Sequence, residues 1–224
     1  MHTAILTFDG YNELDSLIAL GILNRVKAPG WKVSIAAPEP RVTSMNGVTI
    51  DATIDLDEAC AADAVIVGSG CRTREVVEDP AIMRTLRRLD VRRQLLAAQC
   101  SGTLVLAKLG LLADVPACTD VTTKPWVIAA GVNVLNQPFF AQGNLATAGG
   151  CLASTYLATW TIARLQGLPA AEEAMHYVAP VGEKEEYVDR ALRNVTPTWS
   201  RPPSDQNGPS QNQFSSSVTS LSSL

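Results

Sequence analysis

The chain has 224 residues and a net charge of −4, from 18 Lys+Arg against 22 Asp+Glu, a length that fits one domain or at most two. That charge balance argues against a nucleic-acid binder, which relies on clustered basic residues. No apolar run reaches the roughly 18–20 residues needed to span a bilayer, so no membrane insertion is expected. The start, MHTAILTFDG, lacks a basic region followed by a small-residue cleavage site, and a cytoplasmic location is expected. Five cysteines (Cys60, Cys71, Cys100, Cys118, Cys151) are an odd number with no metal-ligand spacing, which favours reduced thiols over a disulfide framework or a structural zinc.

In chain order, residues 3–8 read as a short strand ended by Asp9-Gly10. Residues 13–26 place Leu14, Leu17, Ile18, Ile22 and Val26 near helical spacing. Pro29-Gly30 breaks the chain before a second strand at 32–37, and Asn46-Gly47 reads as a hairpin turn between 42–44 and 48–50. DAVIVGSG (63–70) is a buried strand running into a glycine-rich turn. Asp79-Pro80 opens a helix predicted to extend to Arg93, with Arg84, Arg87, Arg88, Arg92 and Arg93 as its solvated side. LLAAQ (95–99) is another apolar strand, followed at Ser101-Gly102 by a helix that Gly110 stops. Weaker strands are expected near 117–119, 132–135 and 144–147, then a helix over 152–166. Strands alternating with helices predict a single-domain α/β sandwich, its central sheet mostly parallel and covered on both faces. This domain is expected over 1–194. From 195 the composition shifts, and residues 201–224 hold eight serines and two charged residues, which predicts a disordered tail.

AAQCSGT places Cys100 where a strand turns into a helix, with Ala98 and Gly102 as small neighbours, a relative of the G-x-S-x-G nucleophile elbow. A helix start beside the sulfur favours the thiolate, and so a depressed pKa. Taken alone the motif is weak, because most buried cysteines are inert hydrophobes. The Ser101 N–H is a candidate oxyanion donor, with the Gly70 and Cys71 amides of the GSGC turn completing the hole. Arg72 is a candidate anion anchor facing the same pocket, against the commoner reading of a solvated arginine. His2 and His176 are the only imidazoles, and neither adjoins Cys100 in sequence. Glu13 and Asp15 begin the first helix, at the same C-terminal sheet edge as Cys100. Asp15 is therefore the candidate general acid/base, although both carboxylates also suit a helix N-terminus.

The segments LTFDGYNELDSL, DAVIVGSG, AAQCSGTLVLAKLGLL and GNLATAGGCLASTYLATWTIARL together resemble the ThiJ/PfpI superfamily. Its fold is flavodoxin-like and is shared by class I glutamine amidotransferases. Within it the isocyanide (isonitrile) hydratase branch is most similar. The resemblance implies Cys100 as nucleophile and Asp15 as the acid hydrogen-bonded to it. It sets Ser101 where the hydratases carry Thr, Gly70 as the second glycine of their PGG turn, and Gly149-Gly150 as the paired glycines before the long helix. Asp120 stands where relatives tend to have His, and Arg72-Thr73 replace small residues, which implies a reshaped pocket. Ser after the cysteine, where protease and glutaminase branches have His, argues against those branches. The implied activity is that of a cysteine-dependent lyase or hydrolase on a small electrophilic molecule. The alternatives are glyoxalase- or deglycase-like action on reactive carbonyls, or a redox sensor that oxidises Cys100 to the sulfinate. The resemblance also implies a homodimer with the site near the interface. No metal or organic cofactor is indicated, and a DNA-binding domain does not fit in the residues after 180.

Overall fold

The computed structural model describes residues 1–196; the predicted serine-rich tail lies outside them, apart from its first two residues. Four apolar runs form the centre of the molecule: β1 (His2–Leu6), β5 (Ala64–Val67), β6 (Leu95–Gln99) and β8 (Leu145–Ala148). With β2 (Lys32–Ala36) and β7 (Phe139–Gln142) they make a six-stranded sheet of order β2-β1-β5-β6-β8-β7. All pairs are parallel except β7 with β8. The short hairpin β3 (Arg41–Thr43) and β4 (Thr49–Asp51) stands apart, turning at Asn46-Gly47 as expected.

Side chains alternate across the sheet with the strand period of two. Ala4, Leu6, Val65, Val67, Leu96 and Ala98 point to one face. There they meet the short helices α2 (Leu56–Ala59), α3 (Thr73–Glu78), α4 (Pro80–Leu86), α5 (Gly102–Lys108) and α6 (Lys124–Ala129). Ile5, Ile66, Leu95, Ala97 and Ala146 point to the other. That face is covered by α1 (Glu13–Leu23), α7 (Ser154–Gln166), α8 (Leu168–Val178) and α9 (Lys184–Val195), with Trp160 buried among them. Two-sided burial explains why these strands read as continuous apolar runs. No helix among the described residues is long and apolar enough to cross a membrane.

The helix expected from Asp79 to Arg93 ends at Leu86. Beyond it the arginines are tied to neighbouring segments: Arg88 pairs with Asp57 of α2, Arg92 with Asp90 at 2.8 Å, and Arg93 donates to the Cys60 carbonyl at 2.7 Å. The segments 117–119 and 132–135 meet only in a single bridge between Ala117 and Val134. The edge strand β7 takes the place beside β8 instead.

Parallel strands bring their C-terminal ends to one edge, and that edge is built by backbone packed directly on backbone. A Cβ on Gly102 would lie 2.4 Å from the Val67 carbonyl oxygen, and one on Gly70 2.5 Å from that of Gly10. On Gly149 it would lie 2.3 Å from the Thr119 oxygen. Gly21, inside α1, has nothing within 4 Å of the same position. Gly102→Ala is therefore expected to lower stability by about 1–3 kcal/mol through overpacking. Gly21→Ala should raise it by about 0.5–1 kcal/mol. Urea unfolding of the two variants checks both signs.

Candidate active site

Cys100 follows β6 directly, and its φ of 46° makes it the only non-glycine residue with positive φ among the described residues. A bulky residue held there costs about 1–3 kcal/mol, the kind of strain that concentrates at functional positions. The conformation is held from several sides. The Cys100 N–H donates to the Ala148 carbonyl at 2.8 Å, and its own carbonyl accepts from Thr119 Oγ1 at 2.8 Å. Gly102, two residues later, lets α5 approach the end of β5.

The sulfur is nearly enclosed, with the residue 4 % exposed, and Asp15 beside it is 1 % exposed. Asn12 caps α1 through its Oδ1 to the Leu14 N–H at 3.1 Å, which sets Asp15 on the first turn facing inward. The Ser69 hydroxyl donates to Asp15 Oδ2. Oδ1 has no conventional hydrogen-bond partner, and the groups left to interact with the carboxyl are the Cys151 and Cys100 thiols. Ligand atoms of Asp15, Cys100 and Cys151 all lie within 4.8 Å of one another. Among the described residues this is the one cluster able to offer a metal ion three ligands. Two soft thiolates and one carboxylate would suit a zinc-like cation rather than a hard one.

Burial pushes the Asp15 carboxyl above the usual range, against the Ser69 hydrogen bond. Burial, then the Asp15 charge, pushes the Cys100 thiol up, opposed by the Gly150 backbone. The expectation of a depressed thiol pKa is thus corrected. Desolvation and a neighbouring carboxylate outweigh the start of a seven-residue helix. Two acids this close titrate as a pair, and between the two steps they hold one proton in common.

The other expected residues divide sharply. Gly150 belongs to the site: its φ is 90°, its carbonyl accepts from Gln99 Nε2 at 2.9 Å, and its backbone faces the sulfur. Ser101 turns its hydroxyl to the 70–73 turn, accepting from the Gly70 N–H at 3.0 Å and meeting Thr73 Oγ1 at 2.7 Å. The Gly70 amide is therefore engaged, and the Cys71 amide donates to the Gly10 carbonyl at 2.9 Å. The oxyanion hole expected from these two amides is consequently corrected. The Ser101 N–H has no partner among the described residues and keeps its candidacy.

Arg72 is also corrected. It pairs with Glu75 at 2.5 Å and lies 3.9 Å from Asp9, lining a separate hollow with Phe8 and Val42. Asp120 does border the site, but its Oδ1 accepts from the Thr122 and Thr123 N–H groups, each at 2.9 Å, to open α6. Glu13 instead holds the hairpin, accepting from the Ser44 hydroxyl and from Asn46 Nδ2 at 2.9 Å. Neither histidine reaches the site: His2 Nε2 lies 2.9 Å from Ser34 Oγ, and His176 is exposed on α8.

Above Cys100 opens a cavity of about 410 Å³. Met45, Trp126, Thr122 and Thr123 line it, and Asp120 is the one formally charged side chain on its wall. Trp126 and Asn12 were not expected from sequence. Trp126 sits in a helix that escaped detection, and Asn12 is legible only as a helix cap. Asn12 Nδ2 donates to Cys151 Sγ at 3.3 Å, and Gln99 Nε2 to Cys100 Sγ at 3.4 Å.

Comparison with known proteins bears on the fold and the family. A curated relative, the isonitrile hydratase of Pseudomonas putida, is 25% identical over 131 residues, and the alignment spans 58% of each chain. Among solved structures, Drosophila melanogaster DJ-1beta superposes with a TM-score of 0.70 at 22% identity, covering 79% of this chain and 96% of that one. A two-domain protein from Anabaena variabilis, with DJ-1/ThiJ/PfpI-like and ferritin-like domains, gives 0.69 at 20% identity. The match covers 85% of this chain and 54% of the Anabaena chain. These likenesses establish the flavodoxin-like sandwich. Because residues 1–164 match the DJ-1/PfpI family, the chain belongs to it.

Proposed function

We propose that this protein is a cysteine-dependent hydratase or hydrolase for small, uncharged electrophiles, with isonitriles as the leading substrate class. One observation carries the reading: a cysteine strained to positive φ at a strand-to-helix elbow, with a buried carboxyl against its sulfur. A strained backbone that the surrounding packing over-determines is the signature of a positioned nucleophile. In the singly protonated pair, the reactive form carries the proton on Asp15 and the charge on Cys100.

With an isonitrile, the thiolate attacks the terminal carbon, and that carbon takes the proton from Asp15. The product is a thioimidate, R–N=CH–S–Cys100. Water then adds to the same carbon, Asp15 shuttling the proton, and the C–S bond breaks to release the N-formyl amine and the thiol. The Ser101 N–H stands near enough to the elbow to serve charge that develops in these steps. The cavity wall has no Lys, Arg or His, and Asp120 adds negative charge. Anionic substrates are therefore disfavoured, while Met45 and Trp126 suit an apolar substituent.

The reading includes a homodimer. Met45, Val121 and Leu152 are 51, 89 and 72% exposed. Met45 lines the cavity, and the other two adjoin its lining residues Thr122 and Cys151 in the chain. A second copy covering this rim would shield the site from water. Sedimentation equilibrium should give twice the chain mass; a monomer removes this part of the reading.

Cys100→Ser is expected to reduce turnover of an uncharged isonitrile at least about a thousandfold while leaving the fold unchanged. Turnover that survives the substitution overturns the assignment. Consumption of methylglyoxal without isonitrile turnover would move the activity to reactive carbonyls.

Asp15→Asn tests the coupling of the pair through pH. In the parent protein burial and the neighbouring carboxylate both hold the Cys100 thiol above an ordinary thiol near 8.5, so its iodoacetamide labelling should rise only on the alkaline side of that value. The variant loses the carboxylate and keeps the burial, so its labelling should rise at lower pH than in the parent. Superimposable labelling profiles would show that Asp15 does not act on the sulfur.

A further inference from the structure

The mechanism above uses one of the two thiols beside Asp15 and leaves Cys151 without a task. We propose that Cys151 is a resolving thiol, which captures Cys100 as a reversible disulfide once a hydroperoxide has oxidised it. This inference rests on Cys100 being the reactive thiol.

The placement of Cys151 carries the argument. Its Sγ lies within 4.8 Å of Cys100 Sγ, so reaching the bonding distance of about 2.05 Å takes a sulfur movement of less than about 3 Å. That movement is accessible on the Cys151 side. The residue follows Gly150, whose φ is 90° and whose Cβ position is open for 4 Å. It opens the 3-10 turn Cys151–Ala153 and is only half-buried, bordering both the Cys100 cavity and a second hollow beyond it. Burial and then the Asp15 charge push its thiol up, and Asn12 Nδ2, 3.3 Å from the sulfur, opposes them. The remaining cysteines are placed otherwise. Cys60 and Cys118 are buried in the apolar core, and Cys71, exposed on the rim of the Cys100 cavity with its sulfur beside Gly10, lies outside the cluster around Asp15.

The chemistry balances within these groups. The Cys100 thiolate attacks the distal oxygen of ROOH, the O–O bond breaks, and the alkoxide leaves as ROH with the Asp15 proton. Cys100 is now a sulfenic acid. The Asp15 carboxylate takes the proton of Cys151, whose thiolate attacks the Cys100 sulfur. The S–O bond breaks, and hydroxide leaves as water with that proton. The two thiols have lost two electrons and the peroxide has gained them. A dithiol reductant returns the pair to its starting state. Without a resolving thiol, a sulfenic acid proceeds with more peroxide to the sulfinate, which thiols do not reverse.

The test is peptide mapping under non-reducing conditions after treatment with hydrogen peroxide. The native protein is expected to yield a linked Cys100–Cys151 peptide pair lacking two hydrogens, restored by dithiothreitol together with iodoacetamide labelling of Cys100. In Cys151→Ser and Cys151→Ala, Cys100 should instead gain two oxygens that dithiothreitol does not remove. Sulfinate at Cys100 in the native protein with no linked peptide overturns the pairing and leaves the reactive-thiol reading intact. A Cys100 that takes neither oxygen nor iodoacetamide overturns both.

Discussion

Direct packing of backbone against backbone at the C-terminal edge of the sheet is the constraint on which the site depends. Gly102 lies on the β5 carbonyls, Gly70 on Gly10, and Gly149 on Thr119, each too close for a Cβ. These contacts draw the ends of β5, β6 and β8 and the loop before α1 into one small volume. The cost of holding Cys100 at φ 46° is met by this surrounding structure. The site is therefore a property of the fold edge rather than of any single loop. Loosening one glycine contact would move the sulfur, the carboxyl and the second thiol relative to each other.

Electrostatics follows from that geometry. Excluding water from Asp15 and Cys100 disfavours charge on either, and their proximity disfavours charge on both together. Polar groups around them limit the penalty: Ser69 donates to the carboxyl, and Gln99 and Asn12 offer N–H groups to the two sulfurs. A helix start contributes, but its first amides cannot offset burial by themselves. The outcome is an anion that is affordable only while its neighbour keeps a proton. Nucleophile and acid are thereby coupled into a single chemical unit.

Much of this was legible in the chain because strand burial leaves a strong pattern. The four apolar runs, the Asn46-Gly47 turn, the elbow around Cys100 and the helix over 152–166 all appear where the residue pattern places them. What escaped was decided by tertiary contacts. α3 and α6 have six residues each, too short for a helical period to emerge. α8 and α9 do carry helical signals of their own, a proline in the first turn of α8 and Val188, Ala191 and Val195 at helical spacing in α9. β7 pairs with β8 although its FFAQ sequence is no more strand-like than the 132–135 run that failed to pair. Arg72 and the Gly70 and Cys71 amides were placed at the site by their neighbours in sequence. Their partners, Glu75, Ser101 and Gly10, are set by turn geometry that no residue count reveals. The thiol pKa was misjudged for a related reason: the helix start is visible in sequence, whereas the degree of burial is not.

The position after Gly150 shows how little must change for such a site to acquire a different chemistry. The backbone there is fixed by requirements unconnected with sulfur. Gly149 has no room for a side chain, Gly150 supplies a positive φ, and the 3-10 turn leads into α7, which Ser154 ties to the Asp15 carbonyl at 3.2 Å. The side chain that follows these glycines here reaches the carboxyl of Asp15. A valine there would only fill space. A cysteine adds a second acidic, polarisable group to a pocket already organised to handle one proton and one anion. Its consequence is determined by distance: it is near enough to exchange a proton with Asp15, and its sulfur lies within 4.8 Å of that of Cys100.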